Sequence, residues 1–545
     1  MTDQTTALGA KNVEAIYPLA PLQEGILFHC LMAPDAGTYM PQVAYHLRGA
    51  IDPERLRAAW ARVQARHTAL RTAIRWEERD EPFQVVYRDL PLVWDAADWS
   101  GLDPQAQAEA LARLFAENRA RPFDLRRPPL LRLSWRRLGP ERGVLALCHH
   151  HIVLDGWSTA RLLQEVMACY QAGDAAPDLP PARPYADYVR WLRRQDRTGS
   201  LAFWRDRLAG NPGPSLVFGA ARGPSDFARR EWPFPPGLAA AATAFASARG
   251  VTLNTLLQGA LGLWTAEALG REDVFFGSAT GGRPATLPGA NAMVGLFINA
   301  LPVRVRVDPA QPAGDWLRAL QQGQAATIEH EYVALRDIQG AQGALFDCLL
   351  VVENYPVTVG GGESGVALDR VEFDEWTHFP LTLLVAPNQG DMRLILRHDR
   401  AVLPEARLEA FLDRYTTILG DLVADPGRPV GALIGPVAPA AAAPVPARLE
   451  GGAARPARSE TERRLSALWA ELLRIDPPGA GENFFALGGH SLLVARMATR
   501  LRRDLGLDLS VRALFERPVL GELADYLDAL QAAASPVEGE VEMEF

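Results

Sequence analysis

The sequence predicts an α/β unit followed by a small all-α one, and three observations carry that reading. Its 545 residues exceed what one hydrophobic core organises, so more than one domain is expected. Short apolar runs alternate with amphipathic helical stretches up to residue 435, the pattern of an α/β fold. Beyond an Ala/Pro-rich stretch only helical periodicity remains.

In chain order, residues 1–12 form an N-terminal tail. The α/β unit covers 13–435, and a proline-dense joint at Pro177 to Pro184 divides it into 13–178 and 179–435. Residues 436–459 form a linker, semi-rigid through Ala438-Pro439-Ala440-Ala441-Ala442-Ala443-Pro444-Val445-Pro446. The helical unit covers 460–531, with helices expected over Thr461 to Leu473, Ser491 to Leu505 and Leu520 to Leu530. An acidic tail, 532–545, follows; four glutamates between Val537 and Phe545 give it a disordered composition.

Hydrophobic content of 48% and charged content of 22% belong to a globular protein. No apolar run approaches a membrane span, and Met1-Thr2-Asp3-Gln4 opens no signal peptide. Four scattered cysteines (Cys30, Cys148, Cys169, Cys348) form no CxxC pair, so a reducing cytoplasm is expected. A net charge of −9, with no basic stripe, argues against nucleic acid as a partner.

The chemistry concentrates in Cys148-His149-His150-His151-Ile152-Val153-Leu154-Asp155-Gly156-Trp157. Val144 to Cys148 reads as a buried strand. Continued alternation points His149 and His151 one way and His150 the other. Asp155-Gly156 is a turn signal before an amphipathic helix over Ser158 to Tyr170. A histidine here can move the proton of an attacking amine or stabilise a tetrahedral intermediate. Successive strand histidines cannot all reach one ion, so no metal is expected. On chemistry alone, catalysis and plain core packing stand level.

Resemblance separates them. His150-His151-Ile152-Val153-Leu154-Asp155-Gly156 resembles the HHxxxDG signature of nonribosomal peptide synthetase condensation domains, relatives of chloramphenicol acetyltransferase. Tyr17-Pro18-Leu19 through Gln23-Glu24-Gly25 to His29 is similar to the family's opening motif, and Arg66-His67-Thr68-Ala69-Leu70-Arg71-Thr72 to its RHxxLRT block. Gly282-Arg283-Pro284 and Val294-Gly295-Leu296-Phe297-Ile298-Asn299-Ala300-Leu301-Pro302 resemble its later segments. The resemblance implies a two-lobed, V-shaped chloramphenicol-acetyltransferase-like fold with the active site in a tunnel between lobes. It makes His151 catalytic, His150 structural, Asp155 structural through an arginine for which Arg66 is the matching candidate, and Gly156 the residue keeping an acceptor channel open. Arg71 is a supporting candidate and Asn299 a tunnel polar group. His149 is a third histidine found in a relative that builds a β-lactam ring and in ordinary members, especially those accepting a D-configured donor; the ordinary reading is taken. Tyr17-Pro18-Leu19, Gln23-Glu24-Gly25 and Asp155-Gly156-Trp157-Ser158 look like the class joining a D-aminoacyl donor to an L-aminoacyl acceptor.

Asn483-Phe484-Phe485-Ala486-Leu487-Gly488-Gly489-His490-Ser491-Leu492-Leu493 resembles a peptidyl carrier domain, in which Ser491 receives 4'-phosphopantetheine. A serine opening an apolar-periodic helix suits a phosphodiester, whose charge the helix N-terminus favours, and equally suits an ordinary N-cap. Ala513-Leu514-Phe515-Glu516 resembles the family's short third helix, completing a four-helix bundle. The implied partners are an upstream donor carrier, a phosphopantetheinyl transferase and, since nothing resembles an adenylation domain, an adenylation enzyme loading the carrier in trans, with the acidic tail as docking element. Two other readings stay open: an acyltransferase joining a carrier-bound acyl group to a free amine or alcohol, and a non-catalytic carrier or recruitment platform.

Overall fold

The structure, a computed structural model, describes residues 10–34, 36–77, 79, 81–175, 177–219, 225–340, 343–353, 365–388, 391–437, 459–484, 487, 491–505 and 511–534. Most of the N-terminal tail and of the linker, the acidic tail from 535, and Phe485, Ala486 and Gly488 to His490 of the serine motif lie outside the described residues. The main division of the chain into compact units falls in the linker, between Ala443 and Pro444. Among the described residues no helix is long and apolar enough to cross a membrane.

The first half of the α/β unit contributes β1 (Val13–Pro18), β2 (Gln42–Arg48), β3 (Thr72–Arg75), β4 (Phe83–Tyr87), β5 (Trp94–Asp98), β6 (Leu131–Gly139) and β7 (Arg142–His149). The second half contributes β8 (Phe227–Pro233), β9 (Asp273–Thr280), β10 (Asn299–Arg306), β11 (Cys348–Val352), β12 (Ala367–Asp374), β13 (Leu381–Asn388) and β14 (Asp391–Asp399). They assemble into a five-stranded sheet ordered β12-β2-β7-β6-β5, a six-stranded sheet ordered β10-β9-β11-β13-β14-β8, and a small sheet β1-β4-β3. One strand crosses the sequence division: β12 belongs to the second half, yet its antiparallel partner is β2 of the first.

Periodicity explains the layers. In β7 every residue after Arg142 is buried, as expected for a strand covered on both faces. Helix Gly156–Ala172 buries Leu162, Leu163, Val166 and Met167 on one stripe. Helix Pro53–Arg66 lies against it with Trp60 and Val63 inward, entered through the Asp52 cap and Pro53 at its first position. In the second half, the apolar helix Leu253–Leu269 and helix Glu405–Ala424 share a core with β9, β10, β13 and β14.

The C-terminal unit packs helices Glu460–Leu473, Ser491–Leu505, Val511–Glu516 and Leu520–Ala534 around Leu465, Trp469, Phe484, Val494, Met497, Leu501, Leu523 and Leu527. Each such side chain contributes about 1.5–3 kcal/mol by burial. Trp469 meets Phe484 edge-on at 4.9 Å and donates its indole N–H to the Met497 sulfur at 3.1 Å. The first helix starts with a reciprocal capping box between Ser459 and Glu462.

Candidate active site

The site forms where three neighbouring strands end together. Because β2 runs antiparallel to both β7 and β12, its beginning lies beside both their ends, with Gln42 opposite Cys148 on one side and Asp374 on the other. The chain segments beyond these ends stay bonded. His149 and His151 donate their N–H groups to the carbonyls of Pro41 and Tyr39, at 3.1 and 2.8 Å. Tyr39 in turn donates its N–H to the Trp376 carbonyl at 2.9 Å. Tyr39 adopts a left-handed φ of 59°, unusual for an aromatic residue, and its hydroxyl bonds the His378 ring nitrogen Nδ1.

Strand alternation therefore continues past the last residue of β7. His150 donates its N–H the other way, to the Leu130 carbonyl at 2.9 Å, and its ring faces Phe123. The rings of His149 and His151 lie together, edge to face at 6.4 Å. His150 Nδ1 accepts the Ile152 N–H at 3.1 Å, so that nitrogen carries no proton. Burial, followed by the neighbouring histidines, pushes the His150 pKa down to about 3. Burial and the His151 charge push His149 down to about 4, and its Nδ1 has no hydrogen-bond partner among the described residues.

His151 differs from both. Its Nδ1–H donates to the Leu154 carbonyl at 2.7 Å, and its Nε2 lies 3.1 Å from a Glu375 carboxylate oxygen. Both ring nitrogens thus face groups that only accept, which requires the doubly protonated ring. Burial opposes that charge, but the Glu375 carboxylate outweighs it and raises His151 to about 9. Glu375 is correspondingly lowered: burial works against its charge, and the His151 cation overrides it. The sequence reading missed Glu375 and Tyr39, since no spacing relates either of them to the histidine run.

Asp155 is fully buried and caps helix Gly156–Ala172, accepting the Ser158 N–H at 2.8 Å. Its arginine is Arg283, 3.1 Å away, and this corrects the expected pairing with Arg66. Arg66 sits at the end of helix Pro53–Arg66, where its Nε bonds Glu165 at 2.9 Å and another nitrogen bonds the Pro180 carbonyl. Arg283 also donates to Ser158 Oγ at 3.0 Å and lies over the Phe297 ring at 4.0 Å. Asp155 accepts the Phe297 N–H at 3.0 Å, and Ser158 Oγ donates to the Gly295 carbonyl at 2.8 Å. The residues 155–158, 283 and 295–297 are thereby one network. Gly282 precedes it at φ 58°, where an added Cβ would meet the Phe297 carbonyl at 1.7 Å.

The remaining sequence candidates have structural surroundings. Gly156 is the first residue of its helix. The Asn299 carboxamide is fully engaged by backbone, donating to the Glu331 and Val333 carbonyls at 2.7 and 2.8 Å and accepting from Ala300. At 5% exposed it braces the start of β10. Arg71 bonds Glu14 at 2.6 Å and the Tyr87 carbonyl, clamping the small sheet.

Ser491 is the first residue of a 15-residue helix. The leading N–H groups of such a helix lack intrahelical acceptors and favour an anion, so the position fits a phosphodiester.

Comparison with known proteins agrees with this layout. The condensation-domain family matches residues 13–434, and the phosphopantetheine attachment site family matches 463–527. The chain is 36% identical over 436 residues to one of the linear gramicidin synthase proteins of Brevibacillus parabrevis, covering 77% of this chain and 6% of that protein. It is 30% identical over 434 residues to surfactin synthase subunit 3 of Bacillus subtilis (strain 168), covering 77% of this chain and 34% of the relative. The chain thus spans a small part of the curated relatives' length. In fold it is similar to the first condensation domain of the calcium-dependent antibiotic synthetase, with a TM-score of 0.67 at 20% identity, covering 77% of this chain and 98% of that one.

Proposed function

This chain belongs to the condensation-domain family of peptide-bond-forming acyltransferases and carries a phosphopantetheine attachment domain, and we propose that it joins two carrier-bound substrates through an amide bond. The acceptor is tethered through 4'-phosphopantetheine on Ser491, and the donor is a thioester on an upstream carrier. The prosthetic group supplies the thiol arm that carries the acceptor. A phosphopantetheinyl transferase installs it, and an adenylation activity supplies the aminoacyl group, in this reading from a separate enzyme docking on the acidic tail.

The observation that carries the reading is the fixed orientation of His151. With Nδ1–H committed to the Leu154 carbonyl, Nε2 is the atom left to exchange a proton with substrate. The acceptor nitrogen attacks the donor carbonyl carbon; the C–N bond forms, the C–S bond breaks, and the proton from nitrogen passes through Nε2 to the departing sulfur. His150 holds the loop, accepting the Ile152 N–H, and Asp155 with Gly156 begins the helix behind it. The D-donor, L-acceptor subtype is proposed from the sequence motifs alone, with His149 as part of an ordinary site. A cytoplasmic location is proposed from four cysteines that the sequence scatters without a CxxC pair.

Reconstitution with a loaded donor carrier tests this by intact mass. The chain with Ser491 loaded should acquire the condensed product, and His151→Ala should abolish it while keeping the parent's circular dichroism and a cooperative melt at a lower Tm. Undiminished product from His151→Ala, or an unmodified Ser491 after phosphopantetheinyl transfer, overturns the reading.

A further inference from the structure

In this geometry Nε2 already carries a proton, directed at Glu375, so His151 cannot act as a base until that contact changes. Glu375 follows the last residue of β12, and its side chain is 14% exposed, against 11% for His151. The side chain is therefore enclosed without being sealed from the surface. Its backbone position is firm, because the next residue's carbonyl accepts from Tyr39, whose own carbonyl holds His151.

We infer that Glu375 is the seat of the acceptor's α-ammonium, and that the amine, by taking this carboxylate from His151, frees Nε2 to serve as the base. The inference rests on the condensation reading and adds a residue to it.

Charge balance makes the exchange specific. Around Glu375 and His151 stand His149 and His150 on the strand extension, Asp155 at the helix start, Asp374 ending β12, Glu353 beyond β11 and Arg397 on β14. His149 and His150 are kept neutral by burial, as their lowered pKa values show. Asp155 is already paired with Arg283. Glu353 is pushed up to about 7 by burial and by Glu375, so it is a weak counter-charge near neutrality. Arg397 is 3% exposed and bonds the Phe373 carbonyl at 3.4 Å, favouring an ionised Glu375. The Glu375 carboxylate is thus the charge that decides between two cations, an imidazolium or an ammonium.

When the ammonium arrives, two cations compete for it and one proton leaves to solvent from His151. Neutral Nε2 then takes one proton from the ammonium, and the free amine so formed attacks the carbonyl carbon; as the C–S bond breaks, Nε2–H gives that proton to the thiolate, and Nε2 takes the second proton from the nitrogen that becomes the amide, restoring the imidazolium. The sum is one amide, one thiol and one released proton. Exchange of a unit charge within about 4 Å, at an effective dielectric near 20, moves a neighbouring pKa by roughly two to three units.

The test uses the full chain with Ser491→Ala, so that nothing is tethered, and ring-labelled histidine with His151 assigned by difference from His151→Ala. Two soluble probes, N,N-dimethylglycyl pantetheine and isovaleryl pantetheine, share a shape and differ in one charge. The cationic probe should lower the His151 pKa from about 9 by roughly two to three units and release roughly half to nine-tenths of a proton at pH 7, while the neutral probe does neither. Glu375→Gln should reproduce the lowered His151 pKa without a probe, and in the loaded chain should slow condensation at least tenfold with Glu375→Asp partly restoring it. Equal responses to the two probes overturn the inference, even if the variant does not fold. So does a Glu375→Gln chain with parental turnover and an unchanged His151 titration. Failure of the condensation reading itself is distinct, since the parent would then form no product.

Discussion

Removing Arg283 should damage this protein far more than removing Arg66, although Arg66 is the arginine that the motif order assigns to Asp155. The Asp155 carboxylate is fully buried and accepts from Ser158, Phe297 and Arg283. In Arg283→Ala it keeps the two backbone donors and loses its only ion-pair partner among the described residues. The Ala290 and Met293 carbonyls also lose the guanidinium that bonds them at 2.6 and 2.9 Å. Breaking a buried pair of this kind costs about 3–5 kcal/mol. Arg66 is 23% exposed, and its partner Glu165 retains His67 at 2.7 Å and Arg161 at 3.1 Å, so Arg66→Ala should cost about 1 kcal/mol or less. A double-mutant cycle separates the cases. Asp155→Asn should couple to Arg283→Ala by more than about 2 kcal/mol and to Arg66→Ala by less than about 0.5 kcal/mol. Guanidinium unfolding followed by circular dichroism, with the C-terminal unit fitted as its own transition, measures both. An Arg283→Ala protein within about 1 kcal/mol of the parent, alongside strong coupling to Arg66, would refute the assignment.

Asn299→Ala should destabilise the α/β unit by about 1–3 kcal/mol, since two carbonyls lose their donor, while turnover per folded molecule stays at the parental value in a condensation assay. Gly282→Ala should cost about 1–2 kcal/mol from its left-handed backbone alone and more from the collision with Phe297, read as a fall in Tm. The His151–Glu375 pair gives stability a defined pH window. His151 is raised in the fold, so its contribution is complete below its unfolded value near ~6.5 and is lost as pH rises through about 9. Glu375 is lowered, so its contribution is complete above its unfolded value near ~4.3 and fades as pH falls through its folded value below that. Subtracting the Tm-versus-pH curve of Glu375→Gln from that of the parent should leave a plateau between those limits; a flat difference up to pH ~10 contradicts the pairing.

Much of this architecture was legible because it depends on local period. The two-residue alternation through His149, His150 and His151 survives beyond β7 because backbone acceptors flank it on both edges, at Leu130 on one side and at Pro41 and Tyr39 on the other. The helix that begins at Ser491 was readable from the apolar spacing of Met497 and Leu501. What escaped depends on strand order. Arg283 stands inside a motif that the sequence did display, but 128 positions from Asp155, and nothing local distinguishes it from Arg66 as a partner.

Glu375 was invisible for a stronger reason, and that reason bears on how the site works. Its place beside His151 requires β12 to leave the second half of the unit and pair with β2, and the same β2 to pair with β7 in register. A one-residue slip of β12 would turn its side chains to the opposite face and remove the carboxylate from the imidazole. The proton state of His151 is therefore set by a strand that the second half contributes to the first half's sheet. It follows that His151 has its carboxylate partner only when β12 is seated. A substitution that loosens β12 without touching the histidine run should lower the His151 pKa toward its ordinary value before it unfolds either sheet, and histidine-observed titration would detect it.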